Sequence, residues 1–358
     1  MIHDHRHRRG AGLVALLAAA VLGLAGCSAV GTGSGGAAAD TVTLVTHDSF
    51  WLPDEVFEVF TEQTGLTVRV VSQGDTGSLV NQLVLTKDAP LGDAVFGIDN
   101  TFASRALEAG VVVPAHLEAP ALPDARAHAL PGDDGALVAI DYGDVCVNID
   151  DAWFAASDLA PPATLDDLVR PEYRSLFVTP NPVTSSPGFA FLLTTIAASG
   201  DTGWPGYWTA LKANDVQVAS GWTDAYQSAF TAGGGGGDRP VVVSYASSPP
   251  FTVPDGGSTP TTSALLDTCF RQVEHAGVLA GAKNPDGAAL LVDFLLSDTV
   301  QQAIPGAMYM YPVSTSVALP DDWARWAPVA TDPFTVDPAA VATHREEWLN
   351  RWTDLGVG

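Results

Sequence analysis

Past its first forty residues the chain settles into a period of two. Positions 41–46 alternate apolar and polar residues and predict a strand. Pro53 then opens a helix on which Val56, Phe57, Val59 and Phe60 form one inward stripe, stopped by Gly65. Positions 66–72 read as a second strand. Gly74-Asp75-Thr76-Gly77-Ser78 turns into a helix facing inward with Leu79, Leu83 and Val84. A third strand over 93–97 runs out at Ile98-Asp99-Asn100, with Asn100 as the cap of a helix that ends at Gly110. This βαβαβα order predicts an α/β protein with a mostly parallel sheet and right-handed crossovers.

The pattern then changes. Positions 136–141 and 145–149 are two extended pieces separated by Tyr142-Gly143, as in a strand that passes from one lobe to another. Thr164-x-x-Asp167 marks a helix start, and 176–179 a strand. Ser186 as N-cap and Pro187 at the first helical position open an apolar helix over 189–198. Its free N–H groups suit an anion or a hydroxyl; they equally suit an ordinary cap. Strands follow at 216–219 and 241–243, a return strand at 268–278, and a helix at 285–296 with Ala288, Leu291, Val292 and Leu295 at core spacing. A closing amphipathic helix spans 337–355. The five glycines of 233–237 read as a surface loop, and no internal repeat is present.

Two rings stand at element ends. Gly221-Trp222-Thr223-Asp224 opens a helix carrying Tyr226 and Phe230, and Tyr245 ends the apolar run Val241-Val242-Val243. Open α/β sheets bind ligands beyond the carboxyl ends of their strands. Either ring alone reads as core; both together, beside hydroxyls, point to one cleft.

Composition adds a compartment. Arg6, Arg8 and Arg9, an apolar run over 13–24 and Leu24-Ala25-Gly26-Cys27 resemble a lipoprotein signal whose Cys27 is lipidated. Residues 1–27 are then signal and 28–40 a Gly/Ala/Ser tether reaching roughly 20 Å. The expected location is extracytoplasmic, lipid-anchored to the cell membrane. The chain has 16 basic and 41 acidic residues; losing Arg6, Arg8, Arg9 and Asp4 leaves 13 and 40, a net charge of −27. That argues against nucleic acid and anionic lipid as partners. Cys146 and Cys269 remain, and an oxidising compartment favours one disulfide between them. His47, His116, His128, His275 and His344 show no metal-ligand spacing, so no metal site is expected. Residues 41–358 suit two lobes better than one core.

The motifs carry a resemblance. Thr46-His47-Asp48-Ser49-Phe50, Gly74-Asp75-Thr76-Gly77-Ser78, Gly97-Ile98-Asp99-Asn100, Asp141-Tyr142-Gly143, Thr184-Ser185-Ser186-Pro187-Gly188, Gly221-Trp222-Thr223-Asp224, Ser244-Tyr245-Ala246-Ser247, Gln272-Val273-Glu274 and Met310-Tyr311-Pro312-Val313 occur in the order seen in thiamine-binding proteins of ABC importers. The chain resembles that family from about residue 41 to its end. The resemblance implies a two-lobed periplasmic-binding-protein fold with two crossover strands and a ligand cleft between lobes. One lobe would hold 41–143 plus about 273–320, the other 144–272, with 321–358 closing on both.

By motif, the resemblance assigns ligand contact to Asp75, Ser185, Trp222 and Tyr245, with Phe251 where a tyrosine is usual and Tyr309 where a tryptophan is usual. Asp48, Ser49, Trp51 and Asp99 complete the ligand-binding set, and His47 stands where a tyrosine is common. Thiamine carries a permanent thiazolium cation that suits aromatic faces and one carboxylate. The expected protein is a monomeric carrier without a cofactor, binding thiamine or its phosphates and delivering it to an ABC permease. Two rivals share the fold: a ferric or other small-cation binder, and a thiamine-cleaving enzyme using Cys146.

Overall fold

The computed structural model describes residues 40–358. The signal, Cys27 and nearly all of the tether lie outside the described residues. Among those described, no helix is long and apolar enough to cross a membrane.

Ten strands make the sheet: β1 (Thr41–Thr46), β2 (Thr67–Ser72), β3 (Ala94–Asp99), β4 (Val112–Val113), β5 (Val138–Asp150), β6 (Phe177–Pro180), β7 (Gln217–Ala219), β8 (Val241–Tyr245), β9 (Thr262–Leu279) and β10 (Tyr311–Pro312). Their order is β2-β1-β3-β9-β5-β8-β6-β7, with β4 on β9 and β10 on β5. Parallel pairing is confined to the two ends, β2-β1-β3 and β8-β6-β7. Two long antiparallel strands join these ends. The C-terminal part of β9 pairs with β3, and the C-terminal half of β5 pairs with β8. The predicted mostly parallel sheet is therefore mixed. Only short βα units enforce parallel pairing, and β5 and β9 run the length of the sheet between them. The interruption predicted at Tyr142-Gly143 is absent: β5 is continuous, with register breaks against β9 at 139/141 and 145/147. Cys146 and Cys269, one on each long strand, form a disulfide.

The helices are α1 (Asp54–Thr64), α2 (Thr76–Leu85), α3 (Ala103–Ala109), α4 (Leu122–Ala125), α5 (Asp151–Ala156), α6 (Ser186–Ala213), α7 (Pro285–Leu295), α8 (Asp298–Met308), α9 (Trp323–Trp326) and α10 (Pro338–Asp354). Helix α1 starts after Pro53 and ends on Gly65 in the left-handed conformation, but only Val56 and Phe60 of its predicted stripe are fully buried. Helix α6 runs on past the predicted 198, turning at Gly200, because Trp204, Trp208 and Leu211 bury a second apolar face. Its cap is Ser185, one residue earlier than predicted; the Ser185 hydroxyl accepts from Gly188 N–H and Pro187 falls at the second helical position. Asn100 does not cap α3. Its side chain bonds Val273 and Arg271 backbone, and Asp99 accepts from Phe102 N–H instead. The segment after Trp222 is one wide turn over Asp224–Ala229, with Phe230 just beyond it. The glycines of 233–237 lie at the surface.

Two large apolar clusters flank the sheet. One gathers Leu44, Phe60, Phe96, Ile140 and Leu295; the other gathers Val147, Phe189, Phe191, Trp208 and Trp352. Helix α10 docks through Trp352, edge-on to Trp208, while the Arg345 guanidinium lies over the Phe102 and Phe189 rings.

Candidate functional site

Elements from both ends of the sheet meet around a cavity of about 400 Å³. The loop after β1 contributes His47, Asp48, Ser49, Phe50 and Trp51. The turn after β7 contributes Trp222, Thr223 and Tyr226, the end of β8 contributes Tyr245, β9 contributes Glu274, and the end of α8 contributes Met308 and Tyr309. The positions are set by local chemistry. Gly143 on β5 lies so close to Tyr245 and Met310 that a Cβ there would sit 2.8 Å from the Tyr245 ring. Gly97, at φ +98°, seats the His47 ring; a side chain there would collide with it. Tyr309 caps α8 at φ 55°, a conformation unusual for a tyrosine and concentrated at functional sites.

The rings form a continuous wall. Trp222 stacks on Tyr226 with centroids 5.1 Å apart, Tyr226 meets Phe251 at 6.1 Å, and Phe251 meets Tyr309 edge-on at 5.5 Å. Trp222 and Tyr245 lie 6.3 Å apart. Their polar tips are held: Trp222 Nε1 donates to Ser244 Oγ at 2.9 Å, and the Tyr245 hydroxyl donates to Gln272 Oε1 at 2.9 Å. The Tyr226 hydroxyl is buried beside the cavity with no hydrogen-bond partner. The charged residues on the lining are Asp48 and Glu274, with His47 Nε2 3.3 Å from Glu274 Oε1. Among the described residues, no lysine or arginine lines it. Such a space suits a flat cation: quadrupolar faces for the charge and carboxylates to balance it.

Of the sequence-predicted set, Asp48, Ser49, Trp51, Trp222, Tyr245, Phe251 and Tyr309 line this cavity. Asp75, Ser185 and Asp99 do not. They form a buried seam behind it. Asp75 accepts from Trp222 N–H at 2.8 Å, Thr76 N–H at 2.6 Å and Ser186 N–H at 3.4 Å, tying the α2 turn to the α6 turn and to Trp222. Asp99 is fully buried and accepts from the Thr101 hydroxyl, Phe102 N–H and the Ser186 hydroxyl. The oxygens of Asp75 and Asp99 are already occupied, by backbone N–H groups and by the Thr101 and Ser186 hydroxyls. Burial raises Asp75 above the usual carboxylate range against the pull of its donors, and raises Asp99 to about 7. Sequence reasoning missed Tyr226, Glu274, Thr223 and Met308 as lining residues. Tyr226 follows Trp222 by four residues, a helical spacing that placed it on the same face; Glu274 gave no such signal, since only the β9 register brings it to the cavity.

Residues 93–331 match the family model described as bacterial extracellular solute-binding protein. The chain belongs to that family. It is 29% identical over 319 residues to the thiamine-binding periplasmic protein of Escherichia coli, covering 87% of this chain and 92% of that one. Among solved structures it matches a periplasmic thiamin binding protein at TM-score 0.75 and 27% identity, over 88% of this chain and 96% of that one. Iron-bound HitA from Pseudomonas aeruginosa shares the fold at TM-score 0.69 and 20% identity, over 88% and 99%. This solute-binding protein thus has the α/β, two-lobed architecture of its family, with β5 and β9 as the crossing strands.

Proposed function

We infer that this protein is an extracytoplasmic carrier that captures thiamine between its two lobes and delivers it to an ABC permease, tethered to the membrane through a lipid on Cys27. The observation that carries the reading is the ring-walled cavity lined by two acids and one histidine and, among the described residues, by no lysine or arginine. The names of the relatives agree with it. The thiazolium lies against the Trp222, Tyr226 and Tyr245 rings; Glu274 and Asp48 supply the counter-charge; the unpaired Tyr226 hydroxyl takes a polar group of the ligand. A cavity without lysine or arginine favours the unphosphorylated vitamin over its mono- and diphosphate.

The protein is read as a carrier and not an enzyme. Cys146, the nucleophile a thiamine-cleaving relative would need, is bonded to Cys269 and lies off the cavity. A ferric site finds little support: among the described residues no three His, Cys, Asp or Glu side chains gather as metal ligands. Titration calorimetry with thiamine and its two phosphates tests the reading. Thiamine is expected to bind tightest and to be recovered intact. Absence of heat and of any thiamine-dependent rise in Tm would overturn it.

A further inference from the structure

The cavity holds one acid and one base that ring stacking does not explain. Glu274 is 5% exposed and His47 6% exposed, with their polar atoms 3.3 Å apart. The other ring nitrogen, His47 Nδ1, meets Ser49 Oγ at 2.9 Å. The groups around the pair come from every packed element: Asp48 beside His47, Asp75 at the α2 turn, Asp99 at the end of β3, Asp141 on β5 and the Tyr245 phenol on β8. None is a lysine or an arginine. Asp141 stands directly opposite Glu274 in the β5–β9 register and is fully buried. Burial, and then the neighbouring Glu274, push its carboxyl well above the usual range.

Among the described residues, the one cationic partner of Glu274 is His47. An organic cation entering the cavity needs the same carboxylate. Asp48 is exposed to solvent, so two positive charges share the one buried acid of the lining and repel each other, and only one of them can be discharged. A thiazolium has no proton to lose; an imidazolium has.

We propose that binding of the organic cation expels a proton from His47, so that the His47–Glu274 pair couples ligand capture to pH. The balance is simple: protonated His47 and a cationic ligand give neutral His47, the bound ligand and one proton in solvent, with no other bond changed. The proposal rests on the cationic-ligand reading given above.

Its sign follows from the free protein. Burial disfavours the charged His47 ring, but Glu274, Asp75 and Asp48 outweigh it and raise the ring above its ordinary 6.5. Below that raised value the free site holds the proton and must surrender it to bind. Affinity then climbs with pH by up to about tenfold per unit while one proton is lost per ligand, and levels off once His47 is already neutral. Acidification releases the ligand.

The test is calorimetry of the whole protein with thiamine, at about pH 6.5 and about pH 8.5, in buffers of different ionisation enthalpy. The expected result is a binding heat that tracks buffer ionisation as proton release at the lower pH, and several-fold tighter binding at the higher. His47→Gln, which keeps a donor toward Glu274, is expected to abolish both. Tight binding with buffer-independent heat and a flat pH profile overturns the coupling and leaves the carrier reading standing; so does a His47→Gln protein that still releases the proton. No binding at either pH overturns both. The unsubstituted protein alone decides the coupling if the variant does not fold.

Discussion

The buried seam and the open cavity lie back to back and are built from the same loops, yet they treat polar groups in opposite ways. In the seam, Asp75 and Asp99 have their oxygens occupied by N–H and hydroxyl donors from the α2, α3 and α6 turns and the Trp222 backbone. In the cavity, Glu274 meets His47 and a long bond from the Gln272 side-chain amide, and the buried Tyr226 hydroxyl has no hydrogen-bond partner. Satisfied groups hold elements together; a buried polar group left unsatisfied is the exception in folded proteins. The difference separates two kinds of carboxylate: Asp75 is bonded to the Trp222 backbone behind the cavity, whereas Glu274 is part of its lining.

Breaking the seam has the largest expected effect. Asp75→Ala strands three buried N–H donors and is expected to destabilise the protein by about 2–4 kcal/mol, read from denaturant midpoints. If Asp75 were only a ligand contact, stability would hold and affinity alone would fall. Breaking the cavity comes next. Trp222→Ala is expected to weaken thiamine binding more than tenfold, about 1.4 kcal/mol, in a protein that remains folded. Unchanged affinity would assign the ring to the core. A third test sharpens the contrast by pH. Folded Asp99 keeps its proton to about 7 while the unfolded chain releases it near 3.8. The stability this contributes is complete below the unfolded value and is lost as pH rises through 7. Asp99→Asn should flatten that loss between about pH 4 and 7, measured as the difference in denaturant midpoint from the unsubstituted protein. An unaltered slope would mean that Asp99 ionises freely inside the seam.

Much of the local structure was legible. The periods of two and 3.6 located β1, α1, β2, α2, β8, α7 and α10 to within a residue or two, because their apolar residues recur at regular spacing. The long reach of α6 and β9 was not legible. Gly200 reads as a helix end, and the start of β9 is polar and partly exposed, so neither pattern signals continuation. In the cavity the rings were legible as aromatics at element ends. Glu274 was not, because a strand residue's facing depends on register, and this register contains two breaks.

By itself the sequence determined which segments become helices and strands, the acidic surface, the cysteine pair and the supply of rings near the strand ends. These follow from residue chemistry at short range. Only the tertiary structure decided that the sheet is mixed, that Asp75 and Asp99 are consumed behind the cavity, and that His47 meets Glu274. Those outcomes depend on which distant N–H groups reach which oxygens, and chain order alone does not fix that distance.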